Sequence, residues 1–219
     1  MVRKYGTDFF EEYAAVSLRT LLGPAYDGLE NRDRPDLQSP DARTLGIEVT
    51  RAMESSKKAA DAFLKEMSGI VPRTDGQSDL EQMLRTGYGY GLGDGQYIGE
   101  KEREYWAMAL PLQRIIDSKV SKAARGLYGH FDHLGLYIFC KDPLNDAQVV
   151  KTYRYVMALQ RYNDIRYERL FLSEICNLYV CNLSEGIPRF TRMLRYPITP
   201  QQRHDFYAAA LRFQLQSPS

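Results

Sequence analysis

Apolar residues recur at helical spacing in five stretches of the chain. The first, residues 8–22, places an apolar stripe on one side of a helix, and Gly23-Pro24 supplies a stop signal. A last helix is expected after Thr199-Pro200, a favourable helix start. Between these two, the pattern predicts helices over about 54–68, 102–125 and 145–163.

Strand-like runs separate these helices. HLGLYIFC, RLFLS and NLYVCNL are short apolar runs of strand character. Two further segments, NRDRPDLQ and TLGIEVTR, flank the turn-rich stretch 39–42 and predict a β-hairpin. The order of helix, hairpin, helices, strand, helix, strands and helix predicts an α/β (α+β) fold, in which helices flank a mixed central β-sheet.

The composition predicts one domain that spans residues 1–219. The chain is 44% hydrophobic, enough for one substantial core. Residues 72–99 are polar and rich in glycine, which predicts a mobile loop. No apolar run is long enough for a secretory signal or a membrane span, and the three cysteines are scattered. We therefore expect a cytoplasmic protein without a membrane partner, whose cysteines are reduced and lie in the core.

Acidic and basic residues are segregated, although the net charge is only +1. Residues 1–50 carry nine Asp/Glu against six Lys/Arg, whereas residues 111–125 carry four Lys/Arg and one Asp. This pattern suits a metal-binding carboxylate site beside a phosphate-binding surface. Ordinary solvated helix faces are an equal alternative.

The predicted hairpin brings two carboxylates together. A turn centred near Ala42 pairs residues whose numbers sum to about 84, which sets Asp36 opposite Glu48. Cross-strand neighbours have Cβ atoms about 5 Å apart, close enough for two carboxylates to share one divalent cation. Because Ile47 and Val49 alternate with Glu48, the apolar face can pack while the acids stay accessible.

These residues resemble the PD-(D/E)XK nuclease superfamily, in which a Pro-Asp on one strand is followed by Glu-X-Lys on the next. The resemblance covers a core of about residues 8–140, with helical and strand elaboration over 141–219, and it implies a restriction-endonuclease-like core. It further implies that Asp36, Glu48 and the Val49 carbonyl hold Mg²⁺ or Mn²⁺, and that phosphodiester bonds are hydrolysed. Thr50 departs from the pattern, because it stands where the superfamily has its lysine.

A lysine displaced to the helix before HLGLYIFC can replace the missing one. Lys119 lies four residues after Ile115 and four before Ala123, on the apolar stripe that also includes Leu112, Ile116 and Leu127. A long lysine stem along apolar surface can carry its ammonium group to the carboxylates. Lys122 is the second candidate. The alternative is an ordinary surface lysine.

The first helix offers an additional acid for the metal, as some members of this superfamily do. At 100° per residue, Glu11 borders the apolar stripe, whereas Glu12 points almost opposite its centre. We therefore prefer Glu11. A solvated acid that favours the positive end of the helix dipole is the alternative.

The resulting hypothesis is a divalent-metal-dependent nuclease. Asp36 and Glu48 hold the metal, Lys119 or Lys122 stabilises charge on the phosphate, and Arg51, Lys57 and Lys58 contact the nucleic-acid backbone. DNA is favoured over RNA as the partner. The alternatives are a catalytically degenerate nuclease fold that binds nucleic acid or protein, and a structural protein with two exposed acids on a hairpin. The apolar helix over 145–162 either covers the sheet or builds a homodimer.

Overall fold

The three-dimensional structure is a computed structural model that describes residues 7–52, 100–141, 143–184 and 192–216. Within these ranges, the side chains of residues 7, 100–111 and 214–216 are not described. The predicted helix over 54–68, the predicted loop over 72–99, and the candidate phosphate contacts Lys57 and Lys58 all lie outside the described residues.

One mixed sheet of seven strands runs through the described part of the chain, in the order β1 to β7. The three central strands β3, β4 and β5 are parallel, and the outer pairs are antiparallel. The strands are β1 (Glu30–Asn31), β2 (Leu37–Gln38), β3 (Leu45–Ala52), β4 (His133–Cys140), β5 (Arg169–Ser173), β6 (Asn177–Asn182) and β7 (Met193–Pro197).

Four α-helices accompany this sheet in the described ranges. The long connections between the parallel strands carry α2 and α3, as parallel pairing requires. A capping box formed by Asn145 and Gln148 fixes the start of α3. The helices are α1 (Thr7–Leu22), α2 (Glu100–Ala124), α3 (Asp146–Leu159) and α4 (Pro200–Gln216). The predicted fold class, a mixed central sheet flanked by helices, is confirmed.

The helices cover both faces of the sheet, and each face has its own core. On the α1/α4 face, aromatic side chains of α1 pack against Ile47 and Val49 of β3 and against Phe139 of β4. On the α2/α3 face, the apolar side of α2 packs against Leu136 of β4. Helix α3 buries its own apolar side in this second core. The apolar helix predicted over 145–162 therefore covers the sheet, so its hydrophobicity gives no argument for a homodimer.

The end of α2 differs from the prediction. The helix stops at Ala124 with a Schellman motif, in which Gly126 takes a φ of 70° and its N–H bonds to the Ala123 carbonyl, while the Leu127 N–H bonds to the Lys122 carbonyl. Helical periodicity ends there. Leu127, predicted on the apolar stripe, is 45% exposed, and Tyr128 is buried instead.

Two smaller findings complete the fold. The sequence pattern did not predict β7, a short strand at the edge of the sheet with little buried surface. Cys140 and Cys181 are buried as expected, but Cys176 is exposed, so its assignment to the core is wrong. No helix in the described ranges is both long and apolar enough to span a membrane.

Candidate active site

The turn between β2 and β3 sets which residues of the hairpin face each other. Asp41 organises it: one carboxylate oxygen accepts hydrogen bonds from the Arg43 and Thr44 N–H groups and from the Ser39 hydroxyl. Because the charged form accepts these bonds, they hold the pKa of Asp41 below its usual range. The resulting register pairs Leu37 with Ile47 and Gln38 with Gly46. These numbers sum to 84, as predicted, and extending the same register by one residue beyond the start of β2 sets Asp36 opposite Glu48.

A close contact between Pro35 and Gly46 holds the start of β2 against β3. A Cβ atom on Gly46 would lie 2.6 Å from the Pro35 ring and 2.9 Å from the Phe131 ring. Only glycine leaves room for this packing. Gly46 therefore helps to place the residue that follows Pro35, which is Asp36.

Asp36 is bound to the backbone of β3. Its Oδ2 accepts a hydrogen bond of 2.7 Å from the Val49 N–H. In an extended strand the N–H and C=O of one residue point to the same side, so the Val49 carbonyl also faces β2 and Asp36. The three groups assigned to the metal from sequence, Asp36, Glu48 and the Val49 carbonyl, thus come from adjacent segments of one hairpin.

Glu48 is paired with Lys119. The Lys119 ammonium group contacts Glu48 Oε1, and the two side chains are 16% and 7% exposed respectively. The structure therefore carries Lys119 from α2 to the carboxylate, as its position on the apolar stripe predicts. The expectation that both acids stay accessible is wrong for Glu48, because α2 covers this face of β3 and leaves the residue 5% exposed.

The other two basic candidates that the structure describes, Lys122 and Arg51, are not brought to this point. Lys122 lies one turn further along α2 and makes no ion pair with an acid of the described residues. Arg51 alternates with Glu48 along β3, and its guanidinium lies 4.5 Å from the centre of the Phe10 ring of α1. It therefore belongs to the opposite face of the sheet from Glu48.

Glu11 lies within electrostatic reach of both acids. Its side chain is buried, and burial, followed by the charge of Asp36, raises its pKa to about 7. Burial and then Glu48 raise the pKa of Asp36 to about 6, although the Val49 N–H and Lys119 oppose this shift. Burial also raises the pKa of Glu12, but neither Asp36 nor Glu48 contributes to that shift. Glu11, and not Glu12, is thus near the two acids, and its role as a metal ligand stays a prediction.

Two tyrosines near Glu48 were not identified from the sequence. The Tyr167 hydroxyl donates to the Lys119 backbone carbonyl at 3.2 Å. The Tyr128 side chain is 3% exposed, and its hydroxyl lies near Glu48 and Tyr167 without reaching hydrogen-bond geometry with either. A buried hydroxyl without a partner is unusual and requires an explanation. The only sequence signal for Tyr128 is its place between Gly126 and Gly129, both of which have positive φ.

Comparison with known proteins adds no relative. No family model, curated protein or solved structure matches this chain. The interpretation of the site rests on its own residues and their geometry.

The oxygen atoms of Asp36, Glu48 and the Val49 carbonyl match the preferences of a hard cation only in part. Carboxylates and a backbone carbonyl are ligands that Mg²⁺ accepts, and Mg²⁺ needs only one or two protein carboxylates. Burial raises the pKa of both Asp36 and Glu11, and a neighbouring acid adds to each shift: Glu48 for Asp36, and Asp36 for Glu11. However, no three His, Cys, Asp or Glu side chains in the described part of the chain already form a group that could hold a metal ion. Lys119 occupies one oxygen of Glu48.

A cavity of about 810 Å³ lies next to this cluster, at the starts of β4 and β5. Tyr167 lines it and also contacts the Lys119 backbone, so the cavity borders the α2 side of the site. Its charged lining mixes both signs and selects no ligand class. The charged and histidine residues in that lining are His130, Asp132, Arg161, Asp164, Arg166 and Glu168.

Proposed function

We propose that this protein is a divalent-metal-dependent nuclease that hydrolyses phosphodiester bonds of nucleic acid. The observation that carries the proposal is the meeting of three groups from three elements: Asp36 beside β2, Glu48 on β3 and Lys119 on α2. A buried lysine paired with an acid of a carboxylate cluster is an arrangement that the PD-(D/E)XK resemblance implies. The lysine arrives from a helix, which compensates for Thr50 on the strand.

Each side chain has a distinct task in this proposal. Asp36, Glu48 and the Val49 carbonyl hold the cation, and Glu11 supplies a further acid at its edge. When bound, Mg²⁺ or Mn²⁺ polarises the scissile phosphate and activates water. Lys119 provides a positive charge that stabilises the negative charge developing on the phosphate. Because its ammonium group is largely buried, this charge is less screened than one in water.

The competing function is a catalytically degenerate nuclease fold that binds nucleic acid or protein. One observation favours it: Lys119 already neutralises Glu48, and the site has no assembled set of metal ligands among the described residues. A charged pair that only stabilises a scaffold would show the same contact. The two functions differ in whether nucleic acid is cleaved when a cation is added.

The deciding experiment measures cleavage of DNA and RNA with Mg²⁺ and with Mn²⁺. We expect Asp36→Asn, Glu48→Gln and Lys119→Met each to lower the rate by about 100-fold or more. Asp33→Asn, an exposed acid three residues from Asp36, is the matched control and should retain the wild-type rate. Lys122→Met tests the choice between the two lysines and should retain most of the rate.

Three results decide between the interpretations. Equal cleavage by wild type and all variants would indicate a contaminating nuclease. Binding of nucleic acid without cleavage, at any cation concentration, would favour the degenerate scaffold. Loss of cleavage in Lys122→Met but not in Lys119→Met would show that Lys122 has this role and that its assignment to Lys119 is wrong.

The remaining parts of the proposal concern partner and location. We propose DNA ahead of RNA as the substrate, and the parallel cleavage assays compare the two directly. A cytoplasmic location belongs to the same proposal and agrees with three free cysteines. A homodimer is not required, because Asp36, Glu48 and Lys119 all come from one chain.

A further inference from the structure

Tyr128 presents a buried hydroxyl to the site without a bonding partner. The residue lies just beyond the Schellman motif that ends α2, with its ring packed near Tyr167 at 6.3 Å between ring centres. Its side chain is 3% exposed, and among the residues that the structure describes nothing bonds to its hydroxyl. Folding has therefore buried this group without giving it a hydrogen-bond partner from the described residues.

The surroundings of this hydroxyl indicate where a partner would be. After burial itself, the charge of Glu48 is the largest cause of the raised pKa of Tyr128, and Asp36 contributes less. Glu48 contacts Lys119 through Oε1. The Tyr167 hydroxyl is engaged with the Lys119 carbonyl. The Glu48 carboxylate, which can accept from a phenol O–H, is therefore the candidate partner.

Carboxylates that bind metal ions are themselves held by donated hydrogen bonds, and loss of such a bond commonly weakens metal affinity by about 10–100-fold. In the structure, Lys119 supplies this contact to Glu48. If Lys119 acts on the phosphate, as the proposed function requires, the carboxylate needs another donor. Tyr128 is the buried donor at the right place.

We propose that Tyr128 is a positioning residue, whose hydroxyl donates a hydrogen bond to Glu48 when a divalent cation binds at the carboxylates. This inference rests on the proposed function. It assigns Tyr128 no contact with the substrate, because the residue acts through Glu48. On this proposal the hydroxyl gains its partner, the Glu48 carboxylate, when the cation binds.

The experiment uses Tyr128→Phe in the full chain and measures two quantities. Without metal and in the presence of a chelator, the thermal midpoint of the variant should equal or exceed that of wild type, because an unpaired buried hydroxyl has been removed. With Mn²⁺ as the probe, followed by calorimetry, the variant should bind at least about 10-fold more weakly than wild type. The rise in thermal midpoint on adding Mn²⁺ should also be smaller, because stabilisation by a ligand follows the logarithm of its free concentration divided by its dissociation constant.

Tyr179→Phe is the matched control on the same face of the sheet. The Tyr179 hydroxyl donates to the Leu144 carbonyl at 2.7 Å, three strands away from Glu48. This variant should lose stability and keep the Mn²⁺ affinity of wild type. A purely structural tyrosine at position 128 would behave like Tyr179.

The outcomes separate this inference from the proposed function. If wild type binds Mn²⁺ and Tyr128→Phe binds it equally well, the inference is overturned while the proposed function stands. Lower metal-free stability in Tyr128→Phe would also overturn it, because the hydroxyl would then have a partner without the cation. If wild type binds no Mn²⁺, both fail together.

Discussion

The two faces of the sheet bury different kinds of side-chain groups. On the α1/α4 face, aromatic rings meet edge to face, as Tyr13 does with Phe139 and Phe206. The buried Tyr137 hydroxyl there is satisfied by Ser17 at 3.0 Å. On the α2/α3 face, the core includes the Glu48–Lys119 pair and the unpaired Tyr128 hydroxyl.

Apolar burial and satisfied hydroxyl groups stabilise the first face. The second face contains a charged pair, whose desolvation cost commonly offsets its attraction, and a buried hydroxyl without a partner among the described residues. The function proposed above gives the groups of the second face a role in binding a cation. The following predictions test this contrast, beginning with the largest effect.

Removing one member of the buried Glu48–Lys119 pair should destabilise the protein, whereas removing both should have little effect on its stability. Glu48→Leu leaves the Lys119 ammonium group without its main partner and should lower the free energy of unfolding by about 2–3 kcal/mol. Adding Lys119→Met should restore stability to within about 1 kcal/mol of wild type. Urea denaturation of the single and double variants measures both values. A double variant that loses the sum of the two single effects would show that the two charges do not compensate each other, which would contradict this account of the pair.

The raised pKa values predict how stability depends on pH. The folded protein binds a proton at Glu11 up to a pH of about 7, whereas the unfolded chain releases it near 4.5. Because the folded state binds more protons between these values, stability falls as the pH rises through this window. Asp36, with a pKa of about 6, acts in the same direction.

Glu11→Gln should remove the part of this dependence that comes from Glu11 and leave the part that comes from Asp36. Between pH 4.5 and pH 7.5 in a metal-free buffer, the free energy of unfolding of the variant should rise by on the order of 2 kcal/mol relative to that of wild type. Denaturation at several pH values with a chelator present measures the difference. If the difference in free energy of unfolding between the two proteins stays constant across this pH range, the electrostatic account of the site is contradicted.

The prediction with the smallest expected effect compares one tyrosine hydroxyl from each face of the sheet. Tyr137→Phe removes a hydroxyl that bonds to Ser17, so it should lower the free energy of unfolding by about 1 kcal/mol. Tyr128→Phe should have no cost or a small gain. Denaturation of the two variants under the same metal-free conditions gives the comparison. Similar losses at both positions would remove the distinction between the faces.

Local rules predicted the parts of the site that depend on short segments. The hairpin register followed from one turn, and the position of Lys119 followed from the period of one helix. Glu11 was separated from Glu12 by the same geometry. Each of these predictions needs only the regular repeat of a strand or a helix.

The parts that failed depend on irregular backbone or on distant segments. Tyr128 was missed because helical periodicity was continued past Ala124, where Gly126 ends the helix. The burial of Glu48 was missed because α2, about 70 residues further along the chain, covers it. The strand β7 lies at the sheet edge, where the burial pattern no longer alternates.

The six-residue connection between Gln38 and Leu45 has a consequence for variation among any relatives of this chain. Side chains of a strand alternate between faces, so an insertion or deletion that slides β2 by one position on β3 would turn Asp36 away from Glu48 and present Pro35 or Leu37 instead. The turn therefore constrains both its length and the residue at position 41, whose carboxylate organises it. A six-residue connection that keeps this acid is thus the inherited property to look for when a distant relative of this protein is sought.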